Sequence, residues 1–168
     1  LSAIQHSGIL LTWINENFRS DRDIVLAGIR SYGFALQYVD PRFRSDREIV
    51  LAAVRSKGSS LQYADQSFSR DEEIALAAVE SSFLAFGHVD QSLKSNPEFL
   101  LQCANFHPVL LKEVDKDLLS DADFMLPFVQ ENGESLKYAG LELQSDKQFV
   151  LAAVRSNGNA ISYASEKL

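Results

Sequence analysis

The chain has 168 residues, 46% of them hydrophobic and 23% charged, a composition that excludes a disordered protein and leaves room for an ordinary core. Its net charge of −7 argues against nucleic acid as a partner, because a phosphate backbone is held by a basic surface. One cysteine, Cys103, excludes an intrachain disulfide, and no apolar run approaches the ~20 residues that a membrane-spanning helix needs.

Read in chain order, the sequence repeats every 25 residues without gaps. Residues 1–19 are most of a first repeat: Leu1 shares a column with Leu26, Leu51, Leu76, Leu101, Leu126 and Leu151, and Gly8 with Gly33, Gly58, Gly133 and Gly158. Full repeats follow at 20–44, 45–69, 70–94, 95–119 and 120–144, and a last one, short by a residue, at 145–168. With four prolines and no Gly/Ser linker, one continuous array over 1–168 is expected. The chain opens on Leu1 rather than Met, so an upstream segment is expected.

Each repeat punctuates as two helices. Ser20, Ser45, Ser95, Ser120 and Ser145 are expected to cap the first, with an acidic residue three positions on in Ser45/Glu48 and Ser95/Glu98. An apolar run such as IVLAAV follows, and the glycine column is expected to end the helix in a left-handed conformation. The second helix is shorter, around 35–39 or 60–64, and Asp40, Asp65, Asp90 and Asp115 stand where a side-chain oxygen caps a turn. Helices of about twelve residues are marginal alone, and Ile49, Val50, Leu51, Ala53 and Val54 are apolar on more than one side. Neighbours on both sides must cover them, so the fold class expected is all-α: an α-solenoid of about seven helix-turn-helix repeats presenting an extended surface.

The candidate surfaces also follow the chain. Arg19, Arg22, Arg44 and Arg47 recur at equivalent positions near the N-terminal end, with Arg42 beside them. They would form a basic edge for an acidic protein segment or a lipid head group, or else a solvated edge paired with Asp21, Asp23, Asp46 and Glu48. Tyr38, Tyr63, Tyr138 and Tyr163 share a column with Trp13; packing between repeats is the expected role, a peptide-gripping ledge the alternative. That column breaks at His88 and Glu113. Phe83 and Pro108 replace the glycine, Cys103 replaces a small alanine, and Asn105, Phe106, His107 and Pro108 replace the usual Arg-Ser-x-Gly. Where local rules fail, function is a candidate explanation, with neutral drift as the other. Pro127, inside the first helix of its repeat, is expected to kink or break it.

The pattern S-D-x-E-I/V-V-L-A-A-V-x-x-x-G-x-A/S-L-x-Y-A closely resembles the repeats of the domain-of-unknown-function 4116 family, most strongly at 45–68 and 145–164. Each such domain is similar to two of these 25-residue repeats. What the resemblance implies is the repeat fold; it brings no motif of catalytic residues.

Chemistry is sparse. His6, His88 and His107 are scattered, and Asp115, Asp117, Asp121 and Asp123 fail as a calcium loop because Leu119, Ser120 and Leu126 stand where a ligand, a turn glycine and a bidentate glutamate are required. No catalytic, cofactor or metal motif is present, and Cys103 sits at a buried position where thiols are inert. The expectation is a non-enzymatic, protein-binding scaffold without cofactor. Its contact residues would come from Arg19, Arg22, Arg44, Arg47, His88, Asn105, His107 and Glu113. The alternatives are a structural subunit assembled through open repeat ends (Leu1, Ile4, Phe149 and Leu168 lie there) and the targeting module of a longer enzyme. The lone cysteine and the lack of an Asn-x-Ser/Thr site point to an intracellular compartment.

Overall fold

The computed structural model describes residues 19–165. Within them, six ten-residue α-helices recur: α1 (Arg22–Ser31), α2 (Arg47–Ser56), α3 (Glu72–Ser81), α4 (Pro97–Phe106), α5 (Ala122–Glu131) and α6 (Lys147–Ser156). The expected all-α repeat solenoid is the fold. No helix among these residues is long and apolar enough to cross a membrane. The chain forms two compact bodies that divide between Leu93 and Lys94. Leu1, Ile4, His6, Gly8, Trp13 and Leu168 lie outside the described residues.

Each helix starts later than the serine column suggests. The cap is the next residue, Asp21, Asp46, Asp71, Asn96, Asp121 or Asp146. Asp46 accepts from the backbone N–H of Glu48 at 3.0 Å and of Ile49 at 3.1 Å. Ser45 instead ends the preceding 3₁₀ segment. A carboxylate is the better cap because it both accepts from free N–H groups and faces the positive end of the helix dipole.

The expected second helix is two pieces. A six-residue 3₁₀ segment comes first, Gly33–Tyr38, Gly58–Tyr63, Phe83–His88, Pro108–Glu113, Gly133–Tyr138 or Gly158–Tyr163. A shorter turn follows: Pro41–Ser45 and Gln66–Arg70 are 3₁₀, while Gln91–Lys94, Lys116–Leu119 and Leu141–Gln144 are single α-turns. The six-residue pieces are 3₁₀ because their apolar spacing is three: Gly33, Leu36 and Val39 are all buried, and an exact period of three lines up only in a 3₁₀ helix. Asp40, Asp65 and Asp115 cap the turns that follow.

Like elements stack on like. Within the first body α1 packs on α2 and α2 on α3; within the second α4 packs on α5 and α5 on α6, and the 3₁₀ segments stack in the same order. A backbone hydrogen bond ties several of the steps, as in Asp65 N to Arg44 O at 2.9 Å, Asp90 N to Ser69 O at 3.0 Å and Gly140 N to Leu119 O at 2.8 Å. The helices are buried on two adjoining stripes, Ile49 with Ala53 and Val50 with Val54, so a neighbour is needed on each side. Each buried isoleucine or valine there contributes roughly 1.5–3 kcal/mol. The two bodies fill this core differently: Ile49 and Ile74 in the first become Phe99, Phe124 and Phe149 in the second.

Two more expectations change. No described glycine has a positive φ, so the glycine column is not a left-handed helix terminus. Its role is close approach: a Cβ on Gly33, Gly58 or Gly133 would lie 2.3, 2.0 or 2.2 Å from the carbonyl oxygen of Ala53, Ala78 or Ala153 in the next repeat. Pro127 does not break α5, which keeps its full ten residues. It sits on the exposed face, where the carbonyl that loses its N–H partner can turn to water.

Candidate functional site

The glycine column is half of a clasp. Gly33 N–H donates to Ser56 Oγ at 3.1 Å, Gly58 to Ser81 at 3.1 Å and Gly133 to Ser156 at 3.2 Å. Each serine lies 23 residues after its glycine. Where the glycine is Phe83, position 106 is phenylalanine; where it is Pro108, position 131 is glutamate. Pro108 has no N–H to give. Both halves of the clasp are thus absent together, in the repeats that the sequence marks as divergent.

These repeats carry exposed apolar side chains. Phe83 and Leu84 are 46% and 61% exposed at the end of the first body, and Phe106 and Val109 are 44% and 40% exposed in the second. Single exposed apolar residues mean little, but here they are adjacent and two of them, Phe83 and Phe106, replace the glycine and the serine of the clasp, which marks a change of surface. Asn105 and Glu113 are exposed and His107 is half-buried in the second body. His88 is exposed in the first, on a groove of about 510 Å³ with Gln62, Asp65, Ser69, Asp90 and Gln91.

The arginines divide into two kinds. Arg22 reaches Asp46 at 3.3 Å and Glu48 at 2.5 Å, and Arg47 reaches Asp71 at 3.3 Å and Glu73 at 2.5 Å. Each guanidinium thus bridges to the cap and the second residue of the next helix. Arg44 turns back into its own repeat and donates to Gln37 O at 2.7 Å. Arg19 is half-buried, and its carbonyl accepts from Asp40 N. Arg42 donates to Ser20 O at 2.5 Å and lies over the Phe43 ring at 4.8 Å. The structure therefore aligns Arg22 and Arg47 and does not bring Arg44 to their edge.

The tyrosine column runs along a rim rather than inside the core: Tyr38 is 40% exposed, and Tyr63, Tyr138 and Tyr163 are half-buried. Tyr63 meets Phe34 of the preceding repeat edge-on at 6.1 Å. The Lys137 ammonium stands 5.1 Å from the Tyr138 ring and 5.7 Å from that of Tyr163. The Phe34–Tyr63 and Lys137–Tyr163 contacts cross from one repeat to the next.

Cys103 is fully buried, and burial pushes its thiol up to about 12. It is a small apolar side chain of the core, not a nucleophile. The aspartates at 115–123 are two caps in succession: Asp115 accepts from Asp117 N, and Asp121 from Asp123 N and Phe124 N.

A stack of short helices, closed by glycine–serine clasps and aspartate caps, defines a class: the helical-repeat solenoids. Within it, the sequence matches the family described as domain of unknown function (DUF4116) at residues 1–44, 24–69, 46–94, 71–119, 96–140 and 121–168, and the chain belongs to that family. No curated protein and no solved structure matches it.

Proposed function

We propose that this chain is a non-enzymatic protein-binding module with a recognition surface on the divergent repeat of each body. The observation that carries the reading is the exposure of Phe83 and Leu84 in one body and of Phe106 and Val109 in the other, at the positions where the glycine–serine clasp is lost. Exposed apolar patches rimmed by polar residues mark protein–protein contact sites. Asn105, His107 and Glu113 supply polar neighbours in the second body, and His88 does so in the first.

The basic edge is the weaker candidate. Arg22 and Arg47 already bridge carboxylates of their own chain, and a polyanion or lipid head group would have to displace these. That consideration, with the net charge of −7, supports a protein partner over nucleic acid. A lone buried thiol fits a reducing, intracellular compartment.

The test is partner capture with the full chain and with a variant carrying F83S, L84S, F106S and V109S, with circular dichroism as the control for helicity. Specific partners should be captured by the native chain and lost from the variant. Identical partners at identical yield from both would overturn the reading.

A further inference from the structure

One position on the helices varies from repeat to repeat. The first helical residue is Arg22 in α1 and Arg47 in α2, Glu72 in α3 and Pro97 in α4, then Ala122 in α5 and Lys147 in α6. In the first body that arginine seats its guanidinium on the next repeat, against the capping aspartate and the residue two places on. In the second body the receiving helix α6 still presents Asp146 as its cap and Gln148 at the second place, with no arginine to meet them.

The place of the missing side chain is a groove of about 460 Å³. Ala122 and Leu126 of α5 form one wall. Leu143 and Phe149, 8% and 6% exposed, form an apolar floor. Glu142, Asp146 and Gln148 bring acceptor oxygens to the rim. Asp146 accepts from Phe149 N at 2.8 Å through one oxygen, which leaves the other. Among the described residues no cation pairs with Glu142 or Asp146. Leu141, which precedes Glu142 in the chain, is 79% exposed.

We propose that this groove is a receptor for an arginine side chain of a partner protein, flanked by an apolar residue that rests on Leu141. The charge is complementary: two carboxylates at the rim face a guanidinium, and the low-polarity floor takes the methylene stem. Arginine suits the seat better than lysine because its planar fork reaches two acceptors at once, as Arg22 and Arg47 do within this chain. The inference rests on the reading of the chain as a protein binder and names the chemistry of one contact, away from the divergent repeats.

The test uses the full ¹⁵N-labelled chain and two probes, N-acetyl-Leu-Arg-Leu amide and its citrulline counterpart, which is neutral and nearly isosteric. Binding of so short a probe should be weak, on the order of millimolar. The arginine peptide should shift the amides of Ala122, Gln148 and Phe149, with the citrulline peptide about tenfold weaker. A122R should keep native helicity and stop responding, because its own side chain takes the seat. Glu142→Gln, which leaves the groove open, should weaken the response about threefold. No shift, equal response to citrulline, or an undiminished response in A122R would each overturn the proposal. If the peptide gives no shift while the Phe83/Leu84/Phe106/Val109 variant still loses its partners, only this proposal fails; if neither experiment responds, the protein-binding reading fails with it.

Discussion

Gly58→Ala should loosen the stack, while the same change at Gly158 should not. The added Cβ at position 58 would lie 2.0 Å from Ala78 O and 3.0 Å from Ser82 N, both backbone atoms of the next repeat. Neither can rotate away, so the repeats must separate. Forcing one carbon into a close-packed site costs about 1–3 kcal/mol. Separation also stretches the 3.1 Å bond from Gly58 N to Ser81 Oγ, worth roughly 1 kcal/mol. Against this, alanine reduces the freedom of the unfolded chain, a gain of about 0.4–1 kcal/mol that applies because no described glycine has a positive φ. The net expectation for G58A is a loss of about 1–3 kcal/mol, seen as a melting midpoint lower by roughly 2–12 °C for a chain of this size. At Gly158 nothing lies within 4 Å of the added carbon, so only the unfolded-state gain remains and the midpoint should hold or rise slightly. Thermal unfolding followed by circular dichroism measures both. If the two variants lose the same amount, the column is glycine for its backbone conformation, and the close-approach argument is wrong.

Cys103 should resist thiol reagents at pH 8 in the folded chain and react on denaturation, since burial holds the thiol protonated up to about 12; rapid labelling under native conditions would mean that α4 opens readily. Asp90 gives a pH signature. Its carboxyl is held down at about 2, first by the backbone N–H of Ser92, then by the Ser92 hydroxyl and by Arg70. A depressed folded value means that its contribution is complete above the ordinary carboxylate range and is lost as pH falls from about 4 towards 2. Carbon-detected NMR titration of Asp90 should show the low midpoint, and D90N should flatten the acid limb of stability in that window; a midpoint near 4 would show that the turn at Gln91–Lys94 does not hold the carboxylate.

Much of this was legible from residue columns alone. The 25-residue period, the apolar stripes and the divergent repeats are all properties of equivalent positions, and stacking turns equivalence in sequence into adjacency in space. The pairing of each glycine with a serine 23 residues on was visible as a joint loss at 83/106 and 108/131, although nothing in the sequence said that the two meet. The change from Ile49 and Ile74 to Phe99, Phe124 and Phe149 likewise coincides with the division into two bodies. The groove beside Ala122 could have been found by setting Arg22, Arg47 and Ala122 in one column, but only with the knowledge that the arginine reaches into the next repeat.

The class of fold followed from residue order alone, because short helices with periodic apolar stripes on two sides must stack to bury them. Residue order also marked the helix starts to within two residues, since any of several polar side chains at adjacent positions could cap. The contacts between repeats, by contrast, came from packing. Whether Asp46 or Ser45 caps, whether a glycine serves φ or proximity, and whether an arginine is presented to a partner or bound within the chain all depend on atoms 20 to 26 residues away. Local propensity carries no information on those distances; the packing of one repeat against the next supplies it.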